Sequence, residues 1–177
     1  MEELEKQMEL LKAQMNATSN RMPDNKLSLI VFSGDLDKAL AAFVIATGAV
    51  AMGMEVIMFF TFWGTPLLRD KNKKVGGKDT MSKMFGAMLP TGAKHAKLSN
   101  MNMGGMGTKM MRMRMNQKRV DALETMIGKA KLAGVNLIAC QMSMDIMGVK
   151  AEELDPAANI GGVANYLEEA EKANVNL

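Results

Sequence analysis

The sequence predicts an α/β domain with a mostly parallel sheet, on the strength of two observations. First, residues 27–33 and 55–60 are apolar strands on either side of an Ala-rich helical stretch, 36–52. This is a β-α-β unit of the usual size, which places its strands parallel with a right-handed crossover. Second, residues 135–140 form another apolar strand after the helical stretch 108–133, and this repetition extends a parallel sheet.

The other elements follow from capping residues and turn-forming residues. Residues 61–66 form a loop at the carboxyl end of the second strand, and 67–77 form a short helical turn that leads into a basic loop. A helix is predicted over 80–89, capped by Thr80 or Ser82, and a Gly/Met loop over 101–107. Gly161 and Gly162 open a last helix over 163–173, and residues 175–177 are expected to form an edge strand.

The first 22 residues differ from the rest in pattern. Apolar residues recur three and four apart at Met1, Leu4, Met8, Leu11 and Met15, which is a heptad seam on an amphipathic helix. Two or three heptads favour an oligomerisation helix and an arm folded on its own domain about equally. Residues 20–26, with Pro23, form the linker. We therefore divide the chain into an arm at 1–24 and an α/β domain at 25–177.

Composition restricts the class of protein. The chain has 177 residues, 48% hydrophobic and 5% aromatic, with a formal net charge of +3, which indicates a globular domain and argues against nucleic acid as the main partner. Basic residues gather in 94–119, so a local anion-binding face stays open. The uncharged stretch 39–54 is too short to span a bilayer, and we expect a buried helix there and no membrane contact. A single cysteine and an acidic start that does not resemble a signal peptide favour the cytoplasm.

Cys140 has the most specific chemical interpretation of any residue. It ends the strand 135–140, and residues 141–148 follow as a short helix with Ser143 as a possible N-cap and Gly148 as its stop. A thiol at a strand's carboxyl end, before a helix N-terminus, lies at the functional edge of an α/β sheet, where the helix dipole favours the thiolate. Position alone leaves core packing and reactivity equally open. Without a CxxC motif, neither a dithiol nor a zinc site is expected.

Four other features permit both a functional and an ordinary structural interpretation. His95 fits a solvated surface position better than a catalytic pair with Cys140. The seven methionines within 101–115 favour a core or interface role over Cu(I) binding. The turn at Ser33 and Gly34 offers backbone N–H groups to a small anion, although Asp35 is more simply a helix N-cap. Trp63 either lines a pocket beside Cys140 or packs in the core.

Five sequence blocks together resemble the DsrE/DsrF-like sulfur-carrier family, and within it the larger DsrE-like subgroup. They are SGDLDKA at 33–39, MGMEV through FFTFWG at 52–64, NMGGMG at 102–107, ACQMSMD at 139–145 and GVANYL at 162–167. The resemblance implies a flavodoxin-like three-layer sandwich, an oligomer, and sulfur relay in which Cys140 carries sulfur as a persulfide or thiosulfonate. It also implies partners in trans: rhodanese-like, small sulfur-carrier or flavin-dependent disulfide-reductase proteins, or small thiols.

A sulfur carrier needs an accessible thiolate and hydrogen-bond donors for the negative charge of the terminal sulfur. We expect the 101–107 loop to cover Cys140, with Asn102 and Ser143 as hydrogen-bond donors, and no cofactor or metal. The leading hypothesis is a cytoplasmic homo-oligomeric sulfur carrier; the alternative is a non-catalytic oligomeric adaptor that binds a small anion or a protein, with Cys140 inert. The residues expected to line the site are Gln141, Ser143, Trp63, Gly64, Asn102, Gly104, Gly105, Ser33 and Gly34.

Overall fold

A five-stranded, all-parallel sheet forms the centre of the protein. The computed structural model describes residues 2–19, 24–70, 72–73 and 75–177, and within the first helix it describes the side chains of residues 4–13. The strand order is β4-β3-β2-β1-β5, so the first strand lies between the second and the last. The strands are β1 (Asp24–Val31), β2 (Glu55–Phe60), β3 (Asn136–Cys140), β4 (Ala158–Gly161) and β5 (Ala173–Asn176).

Helices connect these strands. The α-helices are α1 (Glu2–Ser19), α2 (Leu36–Ala51), α3 (Thr80–Met88), α4 (Met106–Gln117), α5 (Leu123–Leu132), α6 (Gln141–Met147) and α7 (Val163–Lys172). Short 3-10 turns occur at Phe62–Leu68, Ala93–His95, Met103–Gly105 and Ala151–Glu153.

The two faces of the sheet carry layers of unequal thickness. On one face α2 and α5 pack together, and side chains such as Phe43 and Leu123 cover Met58 and Phe60. On the other face Tyr166 of α7 stacks on Phe59, with ring centroids 4.8 Å apart. Because strand side chains alternate between faces, Cys140 lies on this second, thinner side. The predicted three-layer α/β sandwich with a parallel sheet is confirmed.

Several local predictions need correction. Residues 61–66 were expected to be a loop, but they enter a 3-10 turn, with Pro66 inside it. Strand β4 was not predicted, because its four residues are only partly buried and form no apolar run. The N-cap of α3 is Asp79, whose carboxylate accepts the N–H groups of residues 81 and 82. The uncertain region 108–133 contains two helices, since residues 118–122 separate α4 from α5.

The N-terminal helix is present, and its described apolar side chains face solvent. Leu4, Met8 and Leu11 are 71%, 57% and 61% exposed. The linker was predicted over residues 20–26, but positions 24–26 already belong to β1. Residues 20–23, Met1 and the side chain of Met15 lie outside what the structure describes. Within the described part of α1, the heptad seam is available for contacts with other molecules.

Among the described helices, none has the length and apolar character needed to cross a membrane. The uncharged stretch around α2 packs on the sheet, with Leu36, Ala39, Phe43 and Ala46 fully buried. Its small residues allow the helix to lie close to the strands.

Candidate functional site

Cys140 is the last residue of β3 and lies beside Gly161, its partner in β4. It is also the N-cap residue of α6, a position that the sequence had suggested for Ser143. Its side chain packs with Ile57, Phe59, Ile138 and Tyr166, and the residue is only 1% exposed. The thiol therefore lies at the carboxyl edge of the sheet, under the cover of α7.

The surroundings of Cys140 favour its thiolate. Burial alone would raise the pKa of a thiol, because it penalises the charged form. Hydrogen bonds from the hydroxyl and backbone N–H of Ser143, the hydroxyl of Thr61 and the backbone N–H of Met142 outweigh that effect, and the pKa of Cys140 is lowered. Since the thiolate is the nucleophilic form, a lowered pKa makes this cysteine a better nucleophile near neutral pH.

Ser143 connects the thiol to the end of the neighbouring strand. Its buried Oγ lies 2.9 Å from Thr61 Oγ1 and accepts the N–H of Phe62, also at 2.9 Å. Phe62 has a φ of 43°, an unfavourable value for an aromatic residue. The hydrogen bond to Ser143 helps to hold this strained backbone in place. The sequence analysis missed Thr61, although a polar residue directly after β2 was the signal that could have identified it.

Two glycines bring the ends of β1 and β2 together. Gly64 packs against the carbonyl of Val31, where an added Cβ would collide with the backbone. A Cβ on Gly34 would lie 2.5 Å from the carbonyl oxygen of Trp63. Ser33 donates its hydroxyl to Asp35 at 2.8 Å, so Asp35 occupies the N-cap position of α2 without capping it through its side chain.

A cavity of about 630 Å³ opens beside these strand ends. It brings together three of the predicted site residues, Ser33, Gly34 and Trp63, whereas Cys140, Gln141 and Ser143 lie outside its lining. Gln141 is exposed, and its amide bonds to Asp145. The lining residues are Phe32, Ser33, Gly34, Asp35, Lys38, Trp63, Met88, Leu89, Pro90, Thr91, His95 and Lys97.

The Gly/Met loop is held by its own hydrogen bonds. Asn102 accepts the hydroxyl of Thr108 at 2.8 Å, and that hydroxyl also accepts the N–H of Leu98. Gly104 and Gly105 have φ values of 69° and 100°, which suit glycine. The hydrogen bonds of Asn102 therefore shape its own turn and are not directed at Cys140. Six of the seven methionines in this region are exposed: Met101, Met103, Met106, Met110, Met111 and Met113.

A buried charge cluster that was not predicted from the sequence is connected to the cavity through Arg69. Glu153 pairs with Arg69 at 2.9 Å and with Lys78, and all three side chains are less than 10% exposed. Burial would raise the pKa of Glu153, but the hydrogen bonds from Lys78 and the N–H of Lys150 and the two cations lower it. Arg69 also donates, at 3.4 Å, to the carbonyl of Pro90, a cavity-lining residue. The cluster thus fixes one wall of the cavity.

Among the described residues, no group of three or more His, Cys, Asp or Glu side chains is placed to hold a metal ion. His95 lies at the cavity, and its Nδ1 is 2.9 Å from the carbonyl oxygen of Thr91.

Comparisons with known proteins agree with this architecture. A model of the DsrE/DsrF/DrsH-like family matches residues 23–177. YrkE of Bacillus subtilis (strain 168), described as uncharacterized, is 44% identical over 152 residues, which cover 86% of this chain and 95% of YrkE. A protein of Allochromatium vinosum described as sulfur carrier protein DsrE2 is 32% identical over 168 residues, covering 88% of this chain and 99% of DsrE2.

One solved structure supports the fold. The crystal structure of the ychN protein from E. coli superimposes with a TM-score of 0.50, at 10% sequence identity, over 86% of this chain and 97% of ychN. At this identity the likeness supports the fold alone.

Proposed function

This chain belongs to the DsrE/DsrF/DrsH-like family, and on that premise we propose that it is a sulfur carrier whose Cys140 takes up sulfane sulfur and passes it on. One observation supports this most directly: the only cysteine ends a central strand, where the hydroxyls of Ser143 and Thr61 lower its pKa. The sulfur carrier protein DsrE2, similar along nearly its whole length, supports the same role.

Uptake from a persulfide donor is a simple displacement. The Cys140 thiolate attacks the outer sulfur of R–S–SH, an S–S bond forms to Cys140, the donor's S–S bond breaks, and R–S⁻ leaves. The paired hydroxyls of Ser143 and Thr61, one of which has its hydrogen free for the sulfur, and the backbone N–H groups of Met142 and Ser143 keep the attacking sulfur ionised in a buried place. The product is a Cys140 persulfide, and no oxidant or reductant is consumed.

Release of the sulfur is a second displacement, in which the Cys140 thiolate is the leaving group. An acceptor thiolate attacks the outer sulfur of the persulfide, the S–S bond to Cys140 breaks, and Cys140 returns as a thiolate stabilised by the same hydrogen bonds. With no second cysteine in the chain, no internal disulfide competes with this transfer. Donor and acceptor must then act in trans; the family resemblance suggests persulfides and thiols of small molecules or of rhodanese-like, small sulfur-carrier or disulfide-reductase proteins. A cytoplasmic location suits such a free thiol.

Because Cys140 is 1% exposed, both steps require local opening of the layer over the thiol. Tyr166 of α7 packs in the same cluster as Cys140, so movement of this helix gives the donor access to the sulfur.

Intact-mass spectrometry tests the proposal. The protein is incubated with a small-molecule persulfide, thiosulfate or tetrathionate and weighed, then exposed to excess thiol and weighed again. We expect added sulfur on the wild type, its loss to the thiol, and no addition on Cys140→Ser. Equal addition on Cys140→Ser, or none on the wild type, would show that Cys140 carries no sulfur.

The near-complete burial of Cys140 favours a second candidate, a non-catalytic oligomeric adaptor in which the thiol is inert. Thiol labelling of the native protein separates the two candidates. A carrier labels at a measurable rate without denaturant, whereas in an adaptor of this kind Cys140 labels only once the protein unfolds.

A further inference from the structure

The cavity beside β1 has the composition of a binding site, and the proposed sulfur chemistry makes no use of it. Its volume of about 630 Å³ lies within the range of small-molecule sites. Three large apolar side chains around it, Phe32, Trp63 and Met88, are 64%, 59% and 77% exposed. Exposed apolar side chains gathered at one concave surface are typical of a ligand site.

The charges around the cavity favour an anion. Lys38 is paired with Asp35 at 2.8 Å, so these two largely offset each other. Lys97 also lines the cavity and has no ion-pair partner among the residues that the structure describes. The amino end of α2, a sixteen-residue helix, adds its positive dipole at the same place. Among the described charges that line the cavity, the ammonium of Lys97 is therefore the one that a ligand's acidic group can pair with.

The walls are formed before any ligand binds. Gly34 lies so close to the carbonyl of Trp63 that no side chain fits between them. Gly92, which follows the lining residue Thr91 and has a φ of 79°, lies almost as close to the carbonyl of Arg69. Arg69 itself is held by Glu153. A preformed site lowers the ordering cost of binding.

We propose that this cavity binds a small organic anion whose apolar body packs on Phe32 and Trp63 and whose acidic group pairs with Lys97. Cys140 does not line the cavity, so binding there does not depend on the thiol. The inference goes beyond the sulfur-carrier role and stands without it.

Trp63 gives a direct readout, because it is the only tryptophan in the chain. We would titrate the full-length protein with para-toluenesulfonate and follow the indole N–H signal by NMR. Two matched probes separate the contributions of the apolar ring and of the negative charge. Para-toluenesulfonamide has the ring without the charge, and inorganic sulfate has the charge without the ring. We expect saturable shifts with the sulfonate and binding at least about fivefold weaker for either partial probe.

Variants locate the binding. Lys97→Gln and Phe32→Ala should each weaken sulfonate binding by about fivefold or more. Matched controls are Lys94→Gln, a neighbouring exposed lysine outside the cavity lining, and Met52→Ala, an exposed apolar residue after α2. Both controls and Cys140→Ser should bind as the wild type does. An unmoved Trp63 signal, equal binding of all three probes, or unchanged affinity in Lys97→Gln and Phe32→Ala would overturn the proposal.

Discussion

At the scale of single residues, Ser143 has two roles that a comparison of two variants can separate. Its hydroxyl stabilises the Cys140 thiolate and also accepts the N–H of Phe62, whose backbone is strained. The first role concerns chemistry and the second concerns the shape of the strand end. Both roles predict that an apolar replacement of Ser143 has a measurable cost.

Ser143→Ala should raise the pKa of Cys140, because one hydrogen bond to the thiolate is lost. It should also lower the free energy of unfolding by about 1–3 kcal/mol, the usual cost of leaving a buried N–H unpaired. Thiolate absorbance as a function of pH measures the first effect, and urea unfolding measures the second.

Thr61→Val is the matched control, since it removes a hydroxyl near the sulfur and leaves the N–H of Phe62 paired with Ser143. It should raise the pKa of Cys140 with a smaller loss of stability. An unchanged pKa in both variants would contradict the assigned role of the hydroxyls.

Glu153, buried between two cations, should contribute to the sensitivity of the fold to acid. Its pKa is lowered in the folded protein, so its contribution to stability is present above the unfolded value of about 4.3 and is lost as the pH falls through the folded value. Glu153→Gln should lower stability at neutral pH by about 3 kcal/mol, because two buried cations lose their counter-charge.

The same variant should lose less stability on acidification than the wild type does. Urea unfolding at neutral pH and at several pH values from about 4 down to about 2 measures both effects. The exposed neighbour Glu152 provides the control, and Glu152→Gln should change neither quantity. An equal loss of stability on acidification in Glu153→Gln would show that another group is responsible.

At the scale of elements, α1 stands apart from the domain in its pattern and its exposure. Leu4, Met8 and Leu11 repeat at heptad spacing and face solvent, and a lone helix of this kind is marginal in water. We therefore expect association to stabilise this helix, as in the homo-oligomer that the sequence predicts.

Removing residues 1–22 should reduce the size of the assembly and leave the α/β domain folded, because the two core clusters contain no residue of α1. Light scattering measures the mass and circular dichroism the fold. The full-length variant Leu4→Asn with Leu11→Asn is the control for deletion itself, and it should show the same reduction. An unchanged mass in both proteins would place the oligomer contact elsewhere.

At the scale of the whole molecule, the two layers that cover the sheet should differ in how readily they open. The α2/α5 side holds most of the buried apolar residues, whereas the α7 side holds a small cluster of five that includes Cys140. Regions with fewer buried contacts open at lower free energy.

Native-state hydrogen exchange should therefore show α7 and β5 exchanging before α2 and the central strands. Labelling of Cys140 should follow the opening of α7, since Tyr166 packs over the same cluster. Phe43→Leu, a change in the opposite layer, should leave the opening of α7 unaltered. Protection of α7 equal to that of β2 would mean that access to the thiol needs global unfolding.

Sequence patterns predict the parts of this fold that depend on long apolar runs. Strands β1, β2 and β3 and helix α2 could be located because each buries a continuous or periodic set of side chains. Strand β4 was not predicted, because it lies at the edge of the sheet and its residues stay partly exposed. This strand forms because it pairs with β3, and a short, partly exposed segment shows no sequence pattern that indicates such pairing.

The site was predicted only in part, for the same reason. The position of Cys140 at a strand end could be predicted from the local sequence. Thr61 and Glu153, by contrast, bind partners that lie 82 and 84 residues away in the sequence. Within the Gly/Met loop at 101–107, Asn102 was expected to donate to the thiol, whereas its described side-chain hydrogen bond lies within its own turn, with Thr108 six residues on. Contacts between segments that are far apart in the sequence cannot be predicted before the fold is known.

The position of β5 beside β1 has a consequence for biosynthesis. The two strands pair directly, and the backbone N–H of Lys26 in β1 bonds to the side chain of Asn174 in β5, 148 positions later in the sequence. During vectorial synthesis on the ribosome, β1, β2 and β3 emerge first, and one edge of their sheet stays unpaired until β5 appears. An open parallel edge is a template for aggregation. The nascent chain should therefore depend on chaperones late in translation, even if the finished domain is stable.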